Sequence, residues 1–247
     1  MLSSGKDDDS FPRVIAFFGP DGAGKSTQAR LLVGYLKSRG FDVKQAWVRS
    51  VHSFTFLIWV LFRRLGLLHQ RSDIPFQGIA KPAISYLRED PYGAVSPISM
   101  NPPILRGPVS RLIWSTIEVA SIIPIIMLQV YIPLLKGQHV VAERYVVDSV
   151  TTIAYFVNDP NFIRSPFAKI LLAFVPNGTV FVYVDADYDT IVERRGRVAG
   201  PYEYTLFHRQ IYNKLTPIVG AIYVNTSKVS IYETHQRILN SILSRAK

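Results

Sequence analysis

Residues 19–27 read GPDGAGKST, and no other run constrains this chain as tightly. Gly19, Gly24, Lys25 and Ser26 fill the spacing G-x-x-x-x-G-K-[ST], a pattern that needs a strand before it and a helix after it. Both are present. RVIAFF (13–18) is an apolar, partly β-branched run that reads as a buried strand. STQARLLVGYLKSRG (26–40) carries apolar residues at helical spacing and ends on Gly40, a stop signal. Glycines let backbone amides turn inward around phosphate oxygens, and the helix N-terminus adds partial positive charge. The loop residues Gly19, Asp21, Gly22, Ala23, Gly24, Lys25, Ser26 and Thr27 are therefore expected to hold ATP. Lys25 would reach the β- and γ-phosphates, and the Ser26 hydroxyl would ligate Mg2+.

Downstream the pattern alternates. Strands are expected at 41–48, along QHVVAERY (138–145), at 179–186 and at 221–227. Helices are expected at 187–197, at 201–219 and over the closing segment. Such alternation predicts an α/β fold with a mostly parallel five-stranded sheet and helices on both faces, the three-layer sandwich of P-loop NTPases. One domain is expected over 13–247, after a polar lead-in at 1–12 that lacks a signal-peptide pattern.

Two regions depart from this rhythm. Prolines recur from Pro75 to Pro108, which predicts an irregular insertion over 70–109 with a short helix around 79–88. Residues 111–137 then form an apolar stretch of membrane-spanning length. Glu118 lies within it and a core strand follows at once, so it reads as a buried core helix kinked at Pro124, with a membrane-associated segment as the alternative.

Composition excludes several chemistries. There is no cysteine, hence no disulfide framework and no thiolate site. The five histidines show no metal-binding spacing. The net charge of +10 suits a protein that handles polyanionic nucleotides. No basic run with interleaved aromatics is present, so nucleic acid is not expected as a partner.

The second informative segment is VVAERYVVDS (140–149), a strand that ends in Glu143, Arg144 and Tyr145. Ligands of parallel sheets bind beyond the carboxyl ends of the strands, so this pair is expected beside the glycine loop. GPDGAGKST, ERYVVDS and ERRGR, in that order, resemble the loop, the D-R-[YFH] strand end and the arginine-rich lid of the thymidylate kinase family of nucleoside monophosphate kinases. The resemblance implies transfer of the ATP γ-phosphate to dTMP with Mg2+, in nucleotide biosynthesis. It implies that Asp21 approaches the acceptor, that Arg144 bridges the donor and acceptor phosphates, and that Arg194 and Arg197 close over ATP as a lid spanning 194–204. Arg49 would grip the acceptor monophosphate. Glu143 and Tyr145 would face the substrate, with Glu143 also near the metal. Guanidinium groups suit the arginine roles because they bind phosphate oxygens in bidentate fashion. Glu118 is a separate reading from its place in an apolar helix: a buried carboxylate is costly unless paired, so it would face a base or sugar of the substrate or pair with an arginine such as Arg49.

The sequence also departs from the family pattern. RSVHS follows the second strand where bacterial members carry a REPGG-like stretch, and Glu143 replaces an aspartate, as in the E-R-S motif of deoxynucleoside kinases. A nucleoside or another metabolite thus remains an alternative acceptor, and a membrane- or partner-regulated ATPase is a further reading. A cytoplasmic homodimer is the expectation that the resemblance carries.

Overall fold

In the computed structural model, residues 11–48, 68–69, 104–105, 107–196 and 201–245 are described. The chain enters on β1 (Val14–Phe18), whose five residues are all buried. It turns through the glycine loop into α1 (Lys25–Ser38) and returns as β2 (Val43–Ala46). A two-residue pairing joins β3 (Leu68–His69) to β4 (Ile104–Leu105), antiparallel. The long helix α2 (Pro108–Leu135) leads to β5 (His139–Glu143). Then follow α3 (Val146–Phe156), α4 (Pro166–Ala173), β6 (Val180–Asp185) and α5 (Tyr188–Arg195). The chain closes with α6 (Tyr202–Ile218), β7 (Ile222–Asn225) and α7 (Ile231–Arg245).

The five long strands form one sheet in the order β2-β5-β1-β6-β7, and every pairing is parallel. Side chains alternate across a strand, and β1 shows what that does here. Val14, Ala16 and Phe18 join a core with α2, α3, α4 and α6. Ile15 and Phe17 point the other way, into a core with α1 and α7. Both faces of the sheet are therefore covered, and a continuous apolar run is what a doubly covered strand requires. Fully burying a side chain such as Phe17 contributes roughly 2–3 kcal/mol.

This order also places the ligand end. α1, after β1, packs on one face, while α3, after the adjacent β5, packs on the other. The two connections diverge, and a crevice opens beyond the carboxyl ends of β1 and β5. Register makes them close neighbours, with Phe17 opposite Glu143.

The apolar stretch forms one helix with two faces. Trp114, Glu118, Val119, Ile122, Ile126 and Val130 are buried, at helical spacing. Leu112, Ile113, Leu128 and Leu135 are exposed. By length and composition it could cross a bilayer, with a mean hydropathy of 1.9. The expected core role thus holds for its inner face. The helix runs on through Pro124 and adds a π turn at Met127–Tyr131, the local adjustment that a missing amide favours. The short helix expected at 79–88, and most of the 70–109 insertion, lie outside the described residues.

Candidate functional site

A cleft of about 570 Å3 opens beyond β1 and β5, lined by the glycine loop, Trp47, Glu143, Arg144, Arg194, Arg195 and Thr226 among others. Its floor is the loop between β1 and α1. Gly19 has φ 139°, and a Cβ there would lie 2.0 Å from the Val184 carbonyl oxygen on β6. Only glycine lets the chain leave β1 so close to its neighbour strand. Gly24, at φ 97°, turns the chain into α1. The first helical bond there runs from Gln28 N to Gly24 O. The amides of Lys25, Ser26 and Thr27 therefore stand ahead of the ladder at the positive end of the helix dipole. That is an anion cradle.

Lys25 is folded over the loop. Its Nζ donates to the Gly19 and Pro20 carbonyls, each at 2.7 Å, and lies 3.5 Å from Asp21 Oδ1. Asp21 is the hub of a cationic cluster. Arg144 Nη2 donates to its Oδ1, and Arg195 Nη1 lies 3.9 Å from its Oδ2. The cleft lining holds five cationic side chains, Lys25, Arg30, Arg144, Arg194 and Arg195, against the carboxylates of Asp21 and Glu143. Such an excess in a partly enclosed cleft attracts polyanions.

Arg144 has φ 79°, a left-handed conformation rare for a side chain of this size. Backbone bonds hold it there. Its amide donates to Phe17 O at 3.0 Å, and its carbonyl accepts from Val48 N at 3.2 Å. The turn costs about 1–3 kcal/mol and throws the guanidinium toward the loop of the neighbouring strand. Behind it, Arg144 Nη1 lies 3.4 Å from Asp148 Oδ1, which also accepts from the Tyr212 hydroxyl at 3.0 Å. Burial first, then the charge of Asp148, raises the Tyr212 pKa well above its ordinary value, so this phenol stays protonated and donates. Its ring is set by packing on Phe18 and Tyr183, with centroids 5.5 and 5.6 Å away.

Ser26 Oγ donates to Glu143 Oε1, which brings the expected metal ligands together across 117 residues. A hydroxyl and a carboxylate are the hard oxygen donors that Mg2+ takes in partial shells completed by phosphate and water. The residues present therefore fit that ion. At the far side, Arg194 donates to the Thr226 hydroxyl at 2.9 Å and to the Thr226 carbonyl at 2.7 Å. The Thr226 hydroxyl in turn donates to Ala23 O at 2.9 Å, tying Arg194 to the glycine loop.

Of the residues expected from sequence, the loop, Glu143, Arg144 and Arg194 meet at this cleft. Two do not. Tyr145 is fully buried and donates its hydroxyl to Phe174 O at 3.1 Å, because the left-handed turn at Arg144 sends the next side chain into the core. It is a core residue rather than a substrate contact. Glu118 is also fully buried, on the face of α2 that carries Trp114 and Ile122, and it does not line the cleft. Arg49, Arg197 and the span 197–200 of the expected lid lie outside the described residues. Arg195, within the expected arginine-rich lid, also lines the cleft, whereas sequence reading missed Asp148 and Thr226. Asp148 stands four residues after Arg144, a spacing that often pairs acid with base and was available as a signal.

No known protein family's model matches this chain, and no curated protein matches it.

Proposed function

We propose that this chain is a P-loop kinase that transfers the γ-phosphoryl group of ATP to a nucleoside monophosphate, with dTMP the first acceptor to test. The observation that carries the reading is Arg144. A strained arginine at the end of β5 reaches across to the loop that carries Lys25, and meets it at Asp21. A protein that only held a nucleotide would need the loop but not a second strand's guanidinium aimed at it. Phosphoryl transfer is catalysed by positioning and by cations around the moving group, and this is where such a cation belongs.

In this reading the loop amides and the helix N-terminus bind the donor phosphates. Lys25 exchanges its carbonyl partners for phosphate oxygens and keeps its place through the short tether of the loop. Arg144 turns from Asp21 to the transferring group, and Asp21 is left to face the acceptor. Mg2+, when bound at Ser26 and Glu143, supplies charge neutralisation on the phosphates. Arg194, anchored at Thr226, borders the nucleotide.

The test is ADP formation from MgATP with each nucleoside monophosphate and then each nucleoside, with Lys25→Ala as the blank. The reading expects dTMP to accelerate ADP formation at least 10-fold, and the acceleration to vanish in the blank. Turnover with a nucleoside alone would keep the kinase and change its acceptor. No acceleration by any of these acceptors would refute phosphoryl transfer to a nucleoside or a nucleoside monophosphate.

A further inference from the structure

We infer that Asp148, steadied by Tyr212, is the positioning residue that fixes Arg144 for the transferring phosphoryl group. The inference rests on the phosphotransferase reading and extends it to a residue outside the cleft lining. Asp148 is almost completely buried in the first turn of α3. A buried carboxylate is costly unless its oxygens are bonded, and each oxygen here has a separate task. Oδ2 accepts from the Tyr145 amide at 3.4 Å, an ordinary helix cap. Capping needs nothing more. Oδ1 instead accepts from Tyr212 at 3.0 Å and faces Arg144 Nη1 at 3.4 Å.

Arg144 is thereby held by two acids on its two terminal nitrogens, Nη2 by Asp21 and Nη1 by Asp148. They differ in burial. The Asp21 side chain is 28% exposed at the cleft, whereas that of Asp148 is 2% exposed. A phosphate entering the cleft can take the place of the outer acid and not of the inner one. The inner pair keeps the guanidinium oriented when the outer bond is given up, so little reorganisation is left for the transition state. Tyr212 comes from α6, the helix that begins at Tyr202. Its hydroxyl therefore ties that helix to the same guanidinium.

The experiment measures equilibrium binding of ADP with Mg2+, alone and with aluminium fluoride as the mimic of a transferring phosphoryl group. It uses the wild type, Asp148→Asn, Arg144→Ala and their double variant. Asparagine keeps an oxygen for the helix cap, and Tyr212→Phe, which leaves the carboxylate in place, serves as a second probe. The fluoride-dependent gain in affinity should fall about 10-fold in Asp148→Asn and about 3-fold in Tyr212→Phe. ADP alone should bind within about 2-fold of the wild type in Asp148→Asn and in Tyr212→Phe. In the Arg144→Ala background, Asp148→Asn should cost nothing further, because its effect passes through the missing guanidinium. Equal weakening of ADP alone, or the same loss without Arg144, would mark a merely structural residue and overturn the inference. A fluoride gain in the wild type that Asp148→Asn leaves intact would overturn it alone. No fluoride gain in the wild type would overturn the phosphotransferase reading, and this inference with it.

Discussion

Alanine at Gly19 and alanine at Gly24 should have very different costs, although both lie in one loop and both have positive φ. At Gly24 a Cβ meets nothing within 4 Å, so the penalty is backbone strain alone, about 1–2 kcal/mol. At Gly19 a Cβ would sit 2.0 Å from Val184 O, where an ordinary carbon–oxygen contact is about 3.3–3.6 Å. More than an ångström must come from the β1–β6 pairing, which is tight here because Phe18 lies opposite Tyr183. Overpacking of that kind costs about 1–3 kcal/mol, and the disfavoured φ adds a similar amount, so Gly19→Ala should lose about 3–5 kcal/mol. That is a large part of a net stability of roughly 5–15 kcal/mol. With a urea m-value of about 2 kcal/mol/M, the midpoint should fall by about 2 M for Gly19→Ala and by less than about 1 M for Gly24→Ala. Equal midpoints at unchanged slope would refute the argument that the carbonyl of β6, rather than the dihedral angle, demands glycine at position 19.

Thr226→Val removes the hydroxyl that links Arg194 to Ala23 but leaves the carbonyl contact at 2.7 Å. Affinity for MgATP should fall about 5-fold in a fluorescence titration, with a stability loss near 1 kcal/mol. His235 has its pKa lowered from 6.5 by burial on α7. As pH falls, the unfolded chain takes up this proton before the folded one does, so stability is full above about pH 6.5 and declines below it until the folded form also protonates. Urea midpoints at pH 7.5 and 5.5 should show this slope, and His235→Leu should flatten it.

Much of the fold follows from signals within a few residues of each other. β1 and its turn are legible because apolar run, glycines and helix stand in one line. β6 is legible as a run of six buried residues bounded by a turn before and by Asp187 after. α3 is another matter. Nearly every residue from Val146 to Phe156 is buried, so the segment has no wet face and no 3.6-residue alternation to read. The continuation of the helix through Pro124 also depends on context. The packed inner face of α2 keeps the helix going past that proline, with Ile122 and Ile126 both fully buried on either side of it.

The site divides in the same way. Its glycine loop is local and reads directly. Its electrostatics are not local. Asp21 and Arg144 are 123 residues apart, Asp148 and Tyr212 are 64 apart, and Arg194 and Thr226 are 32 apart. No spacing encodes those pairs, because sheet order creates them: β5 inserts between β2 and β1, and β7 follows β6. What sequence can supply is the rule that strand ends face the ligand, and that rule finds Glu143, Arg144 and, just beyond β7, Thr226. It does not say which way each side chain turns. A single dihedral settles that for the most important pair. With Arg144 left-handed, its side chain goes to the cleft and that of Tyr145 goes to the core. In an ordinary extended conformation the strand's alternation would continue, and the guanidinium would have no path to the loop.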